Sequence, residues 1–155
     1  MSNVPLVVGR ISWLGLAVQF AIIFGLYWLF RQISIFDPIL LAAIAHAILA
    51  RVLRSLVAKN HRKGMRLVHA SQFESAIPEF EKSVEKFKKH KWLDQYRVIT
   101  MLSSAGTSYL VMGYTNLGFC HSQIGHKEEA KQYYQEVLAL DPGNGSAKAA
   151  LNMLN

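Results

Sequence analysis

The amino-acid pattern predicts an all-α protein: an N-terminal transmembrane helix or helical hairpin, followed by a short domain of stacked helices. Three observations carry the prediction. An uncharged run of about 20 residues extends from Ile11 to Phe30. A second apolar segment opens on Asp37-Pro38 and holds a single polar residue, His46, between Ile39 and Ala50. The rest of the chain shows helical spacing, for example Leu93, Tyr96, Ile99 and Met101, punctuated by glycine and proline.

The chain has 155 residues, enough for one domain with an adequate core. Its hydrophobic content of 52% is high for a soluble protein, and the apolar residues are concentrated at the front. As a helix, Ile11–Phe30 is just long enough to cross a hydrocarbon layer of about 30 Å. Trp13 near one end and Tyr27 and Trp28 near the other fit interfacial aromatic anchors. A cleaved signal peptide fits less well. The basic lead-in is a lone Arg10, the run exceeds the usual length of roughly 7–15 residues, and FRQIS offers no small-residue cleavage site. A buried globular helix is the structural alternative, but so continuous a run rarely suits a small soluble domain.

The second segment, 38–57, has Asp37 as a natural N-cap and Pro38 at the first helical turn. With Arg51 and Arg54 snorkelling to the headgroups it is read as a second span, joined to the first by the short turn RQISIFD. A helix lying in the interface is the rival reading. The net charge is +7, and a basic cluster comes directly after the apolar region: Arg51, Arg54, Lys59, Arg62 and Lys63, with no acidic residue until Glu74. Such a cluster stays on the cytoplasmic side and attracts anionic membrane lipids. The location implied is a membrane, a bacterial inner membrane in the preferred reading, with the C-terminal domain cytoplasmic. Nothing interleaves these charges with stacking aromatics, so no nucleic-acid partner is expected. The single Cys120 excludes an internal disulfide.

No breaker stronger than Gly64 separates 38–57 from the C-terminal domain, so a helix continuing directly into that domain is predicted. There, Tyr114 to Asn144 reads YTNLGFCHSQIGHKEEAKQYYQEVLALDPGN. Counted as a 34-residue unit from Val111, it places Tyr114, Leu117 and Gly118 on a first helix, Gly125 in the turn, Ala130 and Tyr134 on a second helix, and Pro142 at its end. In these positions it resembles the tetratricopeptide repeat. A weaker resemblance covers Gly64 to Ser83, with Gly64 at the glycine position and Ala76 and Phe80 on the second helix. The usual aromatic is missing there, and Leu67 stands where tyrosine is common. Ser71-Gln72-Phe73-Glu74 has capping-box spacing, which makes Ser71 the expected N-cap, and Pro78 predicts a slight kink.

Gly64 and Gly118 are 54 residues apart, so about 20 residues are inserted relative to back-to-back repeats of about 34. The resulting division is a membrane anchor at 1–57 (helix 11–30, second helix 38–57) and a repeat domain at 58–155. The latter comprises a first repeat at about 57–90, an inserted helical segment at 91–110, a second repeat at 111–144 and a capping helix at 146–155 opened by Ser146. Two repeats are fewer than the three or so that a stack needs, so extra stability is expected from the insert, the membrane-proximal helix or homo-oligomerisation.

No catalytic residue, metal ligand set or cofactor is indicated. Cys120, His121 and His126 lack a zinc-site spacing, and His121 occupies a repeat position where a tyrosine packs between helices. No phosphate loop, nucleophile elbow or carboxylate pair is evident. Lys82, Lys86, Lys88, Lys89 and Lys91 form a basic run compensated by Glu81 and Glu85, read as a solvated face. The resemblance implies protein binding along a groove lined by the first helix of each repeat. Its positions here are His61, Met65, Val68 and His69, then Met112, Thr115, Phe119 and Ser122; Val68 and Met112 are the best candidates for core. His61, Met65, His69, Thr115, Phe119 and Ser122 are therefore the expected partner contacts. The lysine and asparagine that chaperone-binding members use to grip a peptide carboxylate are absent. The expected function is to bind or scaffold a protein at the cytoplasmic face. The alternatives are an accessory subunit held through its hairpin and a lipid-surface-binding protein.

Overall fold

The computed structural model describes residues 12–33 and 37–154. Arg10, Ile11, the centre of the expected hairpin turn (34–36) and Asn155 at the end of the expected capping helix lie outside the described residues. Every regular element among those described is a helix.

Helix α1 (Trp13–Ile33) runs three residues past Phe30, and α2 covers Pro38–Val57. Asp37 caps α2: its Oδ1 accepts from the amides of Ile39 at 2.8 Å and Leu40 at 3.3 Å. Pro38 occupies the first turn, where its missing N–H has no helical acceptor to lose. α1 and α2 pack on each other, and Gln19 Oε1 and His46 Nε2 meet between them at 2.6 Å. Each helix is long and apolar enough to cross a membrane, and only 11% of each apolar window is buried within the chain. Trp13, Phe20, Phe24 and Trp28 on α1, and Ile39, Leu40 and Ile48 on α2, are exposed.

The predicted unbroken helix from α2 onward is interrupted at one residue. Ala58 (φ −101°, ψ 28°) separates α2 from α3 (Lys59–His69), although helical bonds run across it, from Ala58 N to Arg54 O and from Arg62 N to Ala58 O. Its side chain is buried in a cluster with Phe87 and Met101.

Helices α3 and α4 (Phe73–Lys89) pair as one two-helix unit, and α7 (Tyr109–Gln123) and α8 (Lys127–Leu140) as another; α4 packs on α7 and α9 (Gly145–Leu154) on α8. The two units share internal geometry. The Phe80 ring would lie 2.8 Å from a Cβ at Gly64, and the Tyr134 ring 3.0 Å from one at Gly118, so each helix pair closes only because glycine leaves room. Ala76 and Ala130 are both fully buried. Both turns are Schellman motifs. In the first, Ser71 N donates to Val68 O and Gln72 N to Leu67 O; in the second, Gly125 N donates to Ser122 O and His126 N to His121 O. The left-handed residue is Ser71 (φ 57°) in one and Gly125 (φ 83°) in the other.

Ser71 is therefore not the N-cap of α4. It closes α3, and the N-cap position falls on Gln72 with no side-chain bond. Pro78 lies inside α4. The last helix is likewise capped elsewhere than expected: Asn144 Oδ1, not Ser146, accepts from Ala147 N at 3.0 Å.

The insert also departs from the helical segment predicted for 91–110. It forms two short helices, α5 (Lys91–Gln95) and α6 (Arg97–Thr100), and then irregular chain over 101–108. Side chains fix that stretch. Arg97 donates to the carbonyls of Asp94, Ala105 and Gly106. Asp94, almost fully buried, accepts from Tyr109 N at 2.9 Å and Leu110 N at 3.0 Å, and Ser108 Oγ accepts from Val111 N. α7 thus begins two residues before Val111 with two capping side chains, one of them brought from the insert.

The main core joins Val68, Ala76, Phe80 and Val84 of the first unit to Val111, Tyr114, Leu117 and Phe119 of the second, and continues through Ala130, Tyr134 and Val137 to Ala147. A smaller cluster, Ala58, Phe87 and Met101, joins the end of α2 to the insert.

Candidate functional site

The first helices of the two units, α3 and α7, carry all six expected groove contacts, but packing removes half of them from the surface. His61 is 7% exposed, held edge-on between Phe80 (5.5 Å) and Tyr109 (5.2 Å). Thr115 is 4% exposed and its hydroxyl donates back to Val111 O. Phe119 is 6% exposed and packs edge-on against Phe73 at 5.7 Å. These three are core residues: rings of α4 and α7 enclose His61, Phe73 of α4 covers Phe119, and Thr115 is buried on α7. Met65 and Ser122 are half-buried and His69 is exposed, so they alone of the six reach the surface. Val68 is core, and Met112 is half-buried.

Burial also sets the chemistry of the titratable groups. Desolvation lowers the His61 imidazole to about 4, so the buried ring is neutral at pH 7. It likewise pushes the Cys120 thiol up to about 12, which keeps it protonated and unreactive. His121 stacks on Tyr133 at 5.3 Å and lies near His126; burial lowers its pKa too. Among the described residues no three His, Cys, Asp or Glu side chains converge as a metal requires.

The basic cluster is divided between structure and surface. Arg54 donates from Nε to Met101 O at 3.1 Å and from Nη2 to Leu102 O at 2.7 Å, fastening α2 to the insert. The guanidinium, although exposed, thus has partners within the chain. Lys63 is paired with Glu79 at 2.8 Å, and Asn60 reaches the same carboxylate at 2.9 Å. Those bonds, with Lys63 first, hold Glu79 below the usual carboxylate range. Arg51, Lys59 and Arg62 are exposed. Arg51, Arg54 and Arg62 line a cleft of about 550 Å³ with His46 and Tyr109. Arg51, Lys59, Arg62 and Arg66 line a neighbouring one.

The lysine run is not wholly a solvated face. Lys86 Nζ donates to Val57 O at 2.7 Å, capping the C-terminus of α2 from α4. Lys88 lies over the Tyr114 ring, 5.3 Å from its centroid. A second cleft, of about 520 Å³, opens there between α4 and the second unit, lined by Glu81, Glu85, Lys88, Tyr114 and Tyr133. Sequence reasoning missed Arg54, Lys86, Asp94 and Arg97 as structural ties. Arg54, Lys86 and Asp94 bond backbone groups 15 or more residues away, and Arg97 bonds those of an irregular loop, so none leaves a periodic signature.

Two stacked helix pairs with matching turns and matching glycine–aromatic contacts define a helical-repeat protein. Residues 111–144 match the tetratricopeptide repeat family model, so the chain carries a tetratricopeptide repeat, a module that is typically non-catalytic and binds other proteins. No curated protein and no solved structure is significantly similar to the chain.

Proposed function

We propose that this is a membrane-anchored tetratricopeptide repeat protein that binds or scaffolds a partner protein at the cytoplasmic face of a membrane, a bacterial inner membrane in the preferred reading, and catalyses nothing. Residues 1–57 act as the anchor and 58–155 as the repeat domain, with 57–90 as the first repeat. The observation that carries the reading is the join between the apolar hairpin and the repeats. Arg54 and Lys86 bind them through four backbone carbonyls, those of Met101, Leu102, Leu56 and Val57, so the hairpin presents the repeats in a fixed pose. Holding a binding surface in a thin layer raises its effective concentration there, so a modest groove is enough.

The partner surface is the exposed part of α3 and α7 around Met65, His69 and Ser122. Arg51 and Arg62, exposed arginines whose side chains are not bonded to the insert, face anionic lipid headgroups together with Lys59. Cross-linked capture from native membranes tests this, comparing wild type with a Met65→Glu/His69→Glu variant. Phe119 is left unchanged because charging a core residue would unfold the domain. Loss of one captured protein in the variant supports the groove; identical capture from both rejects it.

The accessory-subunit reading has one observation in its favour. A Cβ at Gly25 would meet nothing within 4 Å, which leaves that face of α1 open to another helix, whereas Gly15 is already filled by Ser104 Cα at 3.1 Å. Gly25→Leu would then abolish capture while the groove variant left it intact. A peripheral lipid-binding protein would be stripped from membranes by alkaline carbonate. Homo-oligomerisation is tested by the mass of the detergent-solubilised protein.

A further inference from the structure

We infer that the insert between the two helix pairs is a membrane-interface wedge, lying among the lipid headgroups beside the hairpin with Trp92, Tyr96 and Ile99 against lipid. This rests on the proposed anchor and adds to it a second point of membrane contact inside the repeat domain.

The depth of the insert is set by the hairpin itself. Gln19 and His46 face each other between α1 and α2 and so lie at one level. Counting six residues back along α1 reaches Trp13, and five forward along α2 reaches Arg51. An interfacial aromatic and the first basic residue after the apolar stretch thus mark the same plane, about 9 Å from the Gln19–His46 pair at 1.5 Å per residue. The insert is bonded on both sides of that plane. Ser104 O accepts from Ser12 N at 3.0 Å, at the plane. Val98 O accepts from Gln19 Nε2 at 3.0 Å, more than a helical turn further toward the apolar side. Arg54 holds Met101 and Leu102 just outside it. The stretch 98–104 therefore crosses the boundary, with α6 at the depth of about 5–10 Å where interfacial helices lie.

The exposed side chains suit that depth. Trp92 on α5, Tyr96 at the junction and Ile99 on α6, spaced four and three residues apart, are 56%, 55% and 63% exposed. Water is a poor solvent for three such neighbours, and Trp and Tyr favour the headgroup layer, where the ring is buried and its polar tip stays wet. α6 packs on α1, where Trp13, Leu14 and Phe20 are likewise exposed. The exposed Lys89 and Lys91 precede Trp92, where ammonium groups meet lipid phosphates. The Gln19 amide, polar at this depth, is partnered at both ends: it bonds His46 and Val98 O.

The test uses the full-length protein in phosphatidylcholine/phosphatidylglycerol vesicles, with Trp13→Phe and Trp28→Phe leaving Trp92 as the only tryptophan. Resistance to alkaline carbonate reports the anchor; quenching of Trp92 reports the wedge. The expected result is a carbonate-resistant protein whose Trp92 is quenched by lipids brominated high on the acyl chain and shielded severalfold from aqueous iodide. Carbonate resistance with iodide-accessible Trp92 overturns the wedge and leaves the anchor standing. Shielding from both quenchers also overturns it, since a second copy of the chain would then cover the face. Extraction by carbonate overturns the anchor and the wedge together. Should the double variant not fold, a nitroxide on Tyr96→Cys gives the same depth by oxygen and nickel-chelate collision, because the buried, protonated Cys120 does not compete for label.

Discussion

Ser71 holds a conformation that glycine holds at Gly125, and the cost is local. A left-handed backbone is unfavourable by about 1–2 kcal/mol for a residue with a Cβ. Because Ser71 is exposed and its two Schellman bonds are backbone bonds, Ser71→Gly keeps the turn intact. It is expected to raise stability by about 1 kcal/mol, seen as a higher urea midpoint at unchanged slope. An unchanged midpoint would mean that the turn relaxes in solution. His61 makes the complementary prediction. Its folded pKa, about 4, lies below the ordinary value of 6.5, so between those pH values the unfolded chain binds a proton that the folded one refuses. Stability from this group is complete above pH 6.5 and is lost as pH falls toward 4, by roughly 3 kcal/mol in all. Glu79 acts in the same direction lower down, below its ordinary value of 4.5, as Lys63 and Asn60 lose the carboxylate. His61→Phe should flatten the upper part of that profile while leaving the lower part.

At the level of elements, each helix pair depends on a glycine beneath an aromatic ring. The Phe80 ring is fully buried and cannot retreat from a methyl placed 2.8 Å away, so Gly64→Ala should destabilise by about 1–3 kcal/mol. The glycine positions and the repeat register were legible from sequence because the family spacing encodes this contact. The insert was not. Its helical spacing at Leu93, Tyr96, Ile99 and Met101 is real, but Arg97 draws three carbonyls around itself and ends the helix at Thr100. Asp94 then caps α7 from 15 residues away. Asp94→Ala is expected to cost about 1–2 kcal/mol and to speed hydrogen exchange at Tyr109 and Leu110 before other amides of α7. Uniform exchange across α7 would mean that Ser108 caps the helix alone.

For the molecule as a whole, the consequential feature is the tie between hairpin and repeats. Arg54 and Lys86 each place a cation on backbone carbonyls across that junction, while the ladder bonds over Ala58 carry the helix through it. Arg54→Met with Lys86→Met should leave both halves folded and loosen their mutual pose. The expected readout is faster exchange confined to 97–104 and the end of α2, with the Gly64–Phe80 and Gly118–Tyr134 pairs still protected. Loss of protection throughout would instead make the junction part of the folding core.

Local chemistry in the sequence determined the all-α class, two helices of spanning length, the Asp37 cap and the 111–144 repeat. Each is written in neighbouring residues, through apolar run length, capping side chains and a glycine–aromatic spacing within one helix pair. Tertiary structure alone decided that His61, Thr115 and Phe119 are core and not groove, that Ser71 closes one helix and does not open the next, and that Arg54 and Lys86 hold backbone carbonyls. Those outcomes depend on which helices pack together and on which distant carbonyls that packing brings within reach of a side chain. Helical periodicity records which side of a helix is apolar, but not what will pack against it.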